Sequence, residues 1–188
     1  MRARASAILL VGLGLACAGR GELQVGEPVD VAGITLPRSV GPYVITLVQY
    51  SGDPEQGAFV RYLPGDTTSP LPRIDIVVYP ASGSALASEI GFTRDDILRA
   101  DRASAQIDDT RPLTESRFAI AATPDSAYRA AWHQTLRDVP QQSLLYLHAS
   151  RGRFLKARTS FPVSTTYDPT PDVDAVVAAL FAEAATPH

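Results

Sequence analysis

Three histidines, one cysteine and one lysine carry the most distinctive chemistry in this 188-residue chain. His133, His148 and His188 show no His-x-x-x-His or Cys/His spacing, and no acidic cluster resembles a calcium loop. The pattern therefore implies no metal site. No Gly-x-Ser-x-Gly occurs, and Ser82-Gly83-Ser84 reads as ordinary loop. Asp95-Asp96 and Asp108-Asp109 are adjacent pairs, and neighbours on a helix point apart, so neither is an acid/base pair. No phosphate-cradling glycine loop occurs, and Gly12-x-Gly14 lies inside the N-terminal apolar run. No cofactor is expected.

One constellation stands out. With Tyr128 and Trp132 turned inward, Arg129, His133 and Arg137 project to the other side of a strand at 127–137. Residues 141–149 and 153–161 form a hairpin. A three-residue loop, Ser150-Arg151-Gly152, would put Leu145, Leu147, Ala149, Leu155, Ala157, Thr159 and Phe161 on one face. Tyr146, His148, Phe154, Lys156 and Arg158 then share the face of Arg129, His133 and Arg137. Three Arg, one Lys, two His and two aromatics would give a local positive surface, suited to an anionic protein partner or headgroup. The competing readings are a solvated outer face with cross-strand pairs such as Tyr146 with Lys156, or a face partly covered by a helix. Arg61 and Asp75 are expected to pair across the first strands, and Trp132 to lie in the core.

The cysteine belongs to a different pattern. Arg2 and Arg4 precede an apolar run from Ala5 to Ala16, which Cys17 follows. Basic residues, a short apolar stretch and small residues before a cut site mark an export signal. The run is too short for a bilayer core, which needs about 20 residues. Leu13-Gly14-Leu15-Ala16-Cys17 resembles a bacterial lipobox, with Gly14 where Leu is more usual. The expectation is export, removal of residues 1–16 and a lipid anchor at Cys17; the alternative is an ordinary signal cut near Ala16. Ala18 is not acidic, which favours an outer membrane facing the periplasm over the inner membrane. A single cysteine forms no internal disulfide, so the fold must rest on its core.

Removing residues 1–16 leaves 172 residues, enough for one domain with a sizeable core. Loss of Arg2 and Arg4 takes the formal charge from −3 to −5, and so mild an acidity implies no nucleic-acid partner. Lys156 is the sole lysine among 17 basic residues. Arginine forks suit carboxylates and phosphates, although an Ala-, Arg-, Gly- and Pro-rich chain also reflects a GC-rich genome.

Residues 17–30 lack periodicity and read as a flexible tether, leaving 31–188 as a single domain. Strands are expected at 29–36, 43–50, 58–63 and 73–79, with 64–72 irregular because of its prolines. A short helix from Ser84 should stop at Gly91. A second should start at Thr93, in a capping box with Asp96, and carry Ile97, Ala100, Ser104 and Ile107 on one stripe. Strands follow at 115–122, 127–137, 141–149 and 153–161. A last helix should be capped by Thr170, with Pro171 at its first position and an apolar stripe of Val173, Val176, Val177, Leu180, Phe181 and Ala184.

The order β-β-β-α-β-β-β-β-α implies an α+β fold with a largely antiparallel sheet and helices on it. With the 73–80 strand leading into a helix, the GRFLKAR strand at 152–158 and the terminal helix at 172–185, it resembles the Mog1/PsbP-like fold. That fold recurs in small exported bacterial lipoproteins and in photosystem and nuclear-transport accessory proteins. The resemblance implies binding and assembly more than catalysis, and no functional residue carries over from it. The sequence reading is thus a membrane-anchored, non-enzymatic binding domain. The alternative is an envelope hydrolase with a site around His133 or His148.

Overall fold

Type I′ turns organise the chain. Ala32-Gly33, Arg137-Asp138 and Arg151-Gly152 each have positive φ at both central residues, from 49° to 78°. This twist matches that of antiparallel strands and closes hairpins in two residues. The computed structural model describes residues 28–104, 106–107, 113–120, 123, 125–164 and 166–186. The expected export segment and the tether as far as residue 27 lie outside these.

In chain order the elements are β1 (Val29–Val31), β2 (Ile34–Leu36), β3 (Ser39–Val40), β4 (Tyr43–Tyr50), β5 (Ala58–Pro64), β6 (Ile74–Pro80), α1 (Leu86–Ser104), β7 (Gln106–Ile107), β8 (Thr114–Ala119), β9 (Ser126–Leu136), β10 (Val139–Ser150), β11 (Arg153–Pro162) and α2 (Thr170–Ala185). One nine-stranded sheet runs β3-β4-β5-β6-β11-β10-β9-β7, and β8 also pairs with β9; β1 and β2 form a separate hairpin. Every pairing is antiparallel. The fold is the α+β arrangement expected, two helices on a large antiparallel sheet.

One face of the sheet is covered and the other is covered over β9, β10 and part of β11, and this corrects several expectations. On one face lie α2 and the β1–β2 hairpin. Val173, Val177, Leu180 and Phe181 of α2 are fully buried with Val60, Ile76, Tyr146 and Leu155. On the other, Ile97 of α1, with Leu86 and Ile90, packs on Tyr128, Ala130, Trp132, Leu145, Leu147 and Phe154. A strand buried on both sides is apolar at both parities. The rule that sorts apolar residues to a single face then misleads. It favoured a three-residue β10–β11 loop; the observed loop is Arg151-Gly152, with Ser150 opposite Arg153 and Tyr146 opposite Ala157 rather than Lys156.

Local signals were overruled elsewhere too. The single strand expected at 29–36 is a hairpin about Ala32-Gly33. Helix α1 runs unbroken through Gly91 and Thr93, and Thr93 is buried inside it. A glycine costs a helix about 1 kcal/mol, which the packing of Leu86, Ile90 and Ile97 outweighs. Ile107 lies in β7, not on the helix. The residue before α2 is Pro169, with no side-chain cap. Asp168 Oδ1 instead accepts the Thr170 N–H at 2.9 Å.

Gly57 is sterically required. Its φ is +123°, and a Cβ there would lie 2.2 Å from the Val78 carbonyl oxygen. Gly57→Ala is expected to cost about 2–3 kcal/mol, through backbone strain and displacement of the β5–β6 pairing. Urea unfolding checks this. A loss below about 0.5 kcal/mol would place Gly57 among ordinary surface positions.

Candidate functional site

Register decides which of the sequence-flagged residues meet. Arg129 pairs with Tyr146, and His133 with Gln142. Arg129, His133, Tyr146 and His148 therefore lie on the α2 face of the sheet. Phe154, Lys156 and Arg158 alternate to the α1 face, and Arg137 sits in the β9–β10 turn. The single eight-residue face is not assembled, because the β10–β11 loop is one residue shorter than expected.

The α2-side group is largely structural. Arg129 Nε donates to Asp174 Oδ1 at 3.0 Å, and the Tyr146 hydroxyl donates to the same oxygen. The guanidinium lies 5.7 Å from the Tyr146 ring centroid. Burial, then the bond to Asp174, push the Tyr146 phenol far above its ordinary range. These contacts fasten α2 to β9 and β10. His148 stacks on Phe181 of α2, with centroids 5.4 Å apart, and its Nε2 is buried without a hydrogen-bond partner.

Burial holds the His148 pKa below its ordinary value, while Asp125 opposes the shift. A base with a depressed folded pKa is bound to fewer protons in the fold than in the unfolded chain. Its contribution is therefore complete above the unfolded value of about 6.5 and is lost as pH falls below it, levelling off under the folded pKa. Unfolding midpoints should thus drop between pH 7 and pH 5 in the wild type, and the drop should shrink in His148→Gln. An equal drop in both would assign the effect to other groups.

His133 lines a cleft of about 200 Å³ with Gln142, Phe161, Ser164, Tyr167 and Asp168. Its polar groups are engaged in ordering the approach to α2. Ser164 Oγ and Thr166 Oγ1 are 3.0 Å apart, Tyr167 donates to Asp172 at 2.6 Å, and Asp168 accepts from Thr170. Hydrogen bonds from Thr170 hold the Asp168 carboxyl below the usual range, and the Asp172 bond raises the Tyr167 phenol to about 12. Among the described residues, no three His, Cys, Asp or Glu side chains are grouped to hold a metal ion.

The α1 face has two halves. Toward β9 and β10 it is closed by α1, where Lys156 Nζ lies 3.3 Å from Glu89 Oε1 and the Tyr79 hydroxyl donates to the same oxygen at 2.5 Å. Toward β4 and β5 it is open. The register lays out two rows that run into it, Gln49–Phe59–Val77, which continues to Lys156 under α1, and Leu47–Arg61–Asp75–Arg158, with Val44 beside Leu63 beyond them. Val44, Leu47, Leu63 and Val77 are 38%, 37%, 36% and 38% exposed. Arg61 grips Asp75 through two bonds of 2.8 and 3.2 Å, the pairing expected from sequence. Arg73 reaches the same carboxylate at 3.2 Å. Arg158 is held over the Trp132 ring, 5.6 Å from its centroid, and Trp132 is buried as expected. The sequence reading missed this half-face. Its available signal was the YVITLVQY strand, whose Val44 and Leu47 are apolar although Tyr43 and Ile45 supply the core.

A nine-stranded antiparallel sheet between two helices defines a PsbP-like fold. The solution structure of cyanobacterial PsbP (CyanoP) from Synechocystis sp. PCC 6803 is similar, with a TM-score of 0.50 over 87% of this chain and 96% of that one, at 11% identity. At that identity the likeness concerns the fold. No family model matches the chain, and no curated protein matches it in sequence. No described helix is long and apolar enough to cross a membrane.

Proposed function

We propose that this is an exported protein, anchored by acyl chains at Cys17, that acts by binding or assembly in the cell envelope and not by catalysis. The observation that carries the binding reading is the open half-face of β4–β6, where aliphatic side chains stand beside ordered guanidiniums. Part-exposed aliphatic side chains grouped beside fixed charges form a surface of the kind at which a partner docks. His148, by contrast, is sealed under Phe181 with no solvent path to its Nε2. The Mog1/PsbP-like resemblance points the same way.

The anchor reading rests on the sole cysteine following an apolar run flanked by Arg2 and Arg4. One acyl chain binds marginally and more than one holds stably. The residues from 17 to 28, ahead of β1, span at most about 40–45 Å when extended, so the domain would work close to its membrane. Ala18 favours the outer membrane, periplasmic side. Cell fractionation tests the reading. Wild type should sediment with membranes and be released by detergent but not by salt, while Cys17→Ala should be soluble or unprocessed. Soluble protein in both would contradict it.

A further inference from the structure

We propose that the open half-face of β4, β5, β6 and β11 docks an acidic protein segment that carries aliphatic side chains among its carboxylates. The inference deepens the binding reading above and rests on it. Arg61 and Arg73 both bind the Asp75 carboxylate, and Arg158 stands opposite Asp75 on the neighbouring strand, three guanidiniums to one carboxylate. The patch is therefore net positive on a chain whose formal charge is −3. A surface of opposite sign to the rest of its protein selects an acidic partner and speeds encounter with it.

The guanidiniums are also pre-ordered. Arg61 is fixed by Asp75 and lies 5.1 Å from the Phe59 ring centroid, and Arg158 is stacked on Trp132. Ordering them beforehand lowers the entropic cost of binding. The fork of Arg158 is left for a partner's carboxylate, whereas Arg61, whose Nε and Nη2 are held by Asp75, contributes charge and its remaining N–H groups. Arg61 and Arg158 sit two strands apart in one row, which places them roughly 10 Å apart. Leu47 ends that row, and Val44, Leu63 and Val77 flank it, offering apolar contact beside the charges.

An anionic membrane fits this face less well. Membrane-surface patches rely on several lysines and interfacial Trp or Tyr. Here the sole lysine is paired to Glu89, and Trp132 is only 2% exposed. The exposed apolar groups are aliphatic, Val44, Leu47, Leu63 and Val77, and suit a protein surface better than a bilayer interface.

The test is fluorescence anisotropy with a labelled 14-residue peptide of alternating Glu and Leu and its Gln-for-Glu counterpart. The purified mature chain is used, in phosphatidylcholine nanodiscs if acylated and free if not. The outcome is thus independent of anchoring, and failure of the anchor reading leaves this test intact. Saturable binding of the Glu peptide is expected, weakened at least tenfold by the Gln exchange and at least tenfold by Arg158→Glu. Arg73→Glu, a surface change that spares the Trp132 contact, should give at least a threefold loss. Leu63→Ser with Val77→Thr, which keeps every charge, should also weaken binding, and Arg137→Glu in the distant turn should not. Unfolding curves show which variants remain folded. The proposal is overturned by no binding at millimolar peptide, by equal binding of both peptides, or by Arg137→Glu acting like Arg158→Glu. It is equally overturned if phosphatidylglycerol vesicles bind in an Arg158-dependent way while the peptide does not.

Discussion

Phe181→Ala is expected to lower the unfolding free energy by about 3–5 kcal/mol. For a domain of this size that is a fall in Tm on the order of 10 °C. Phe181 is fully buried at the centre of the α2 stripe, and its ring stacks on His148 at an interplanar angle of 26°. Truncation removes the burial of the ring and leaves a cavity that the sheet beneath, pinned by its ladders, closes only in part. The same change has a second readout. Phe181 covers the His148 imidazole, so water admitted by the smaller side chain should return its NMR titration midpoint upward, toward about 6.5. The acid-side loss of stability should shrink with it. A loss of about 1 kcal/mol with an unchanged titration would mean that α2 is not what seals His148.

Asp174→Ala should cost about 3 kcal/mol. It strips the Tyr146 hydroxyl and the Arg129 guanidinium of their shared acceptor, and Arg129 is only 17% exposed. A largely buried cation without a counterion dominates the penalty. Water reaches the Asp174 side chain, which is 32% exposed, so the figure stays at the low end of the range for broken buried pairs. Asp174→Asn, which keeps an acceptor but not the charge, should lose less. A double-mutant cycle with Arg129→Met should show strong non-additivity, because once the guanidinium is gone the carboxylate has less to compensate. Additive losses would mean that the pair does not fasten α2.

Much of the architecture was legible in the residues. Period-two alternation in RIDIVVY and the β-branched content of YVITLVQY are strand signals that no helix would produce. The α2 stripe was identified residue by residue, and all six of its members are buried. The Arg61–Asp75 pair followed from the spacing of two neighbouring strands.

The faces were not legible. In β10, Leu144, Leu145, Tyr146, Leu147 and His148 are all buried, so neither parity is the outside one, and one residue of loop length reverses the assignment. The φ values of Arg151 and Gly152 decide the matter, and Arg-Gly is a weaker type I′ signal than Asn-Gly. Thr93 failed as a cap marker for a similar reason. Its pattern is local, whereas the packing of Leu86, Ile90 and Ile97 on the sheet acts over about three turns of α1 and across Thr93. The half-face proposed for docking was hidden because its exposure depends on which strands α1 covers, which no local pattern encodes.

The most direct test of the account is the mass of the mature N-terminal peptide from protein isolated in its own cells. The account predicts a chain that begins at Cys17 and is heavier than the bare polypeptide by its acyl groups. An unmodified Cys17, or a chain cut at another position, would contradict the lipid anchor and leave a binding domain free in its compartment.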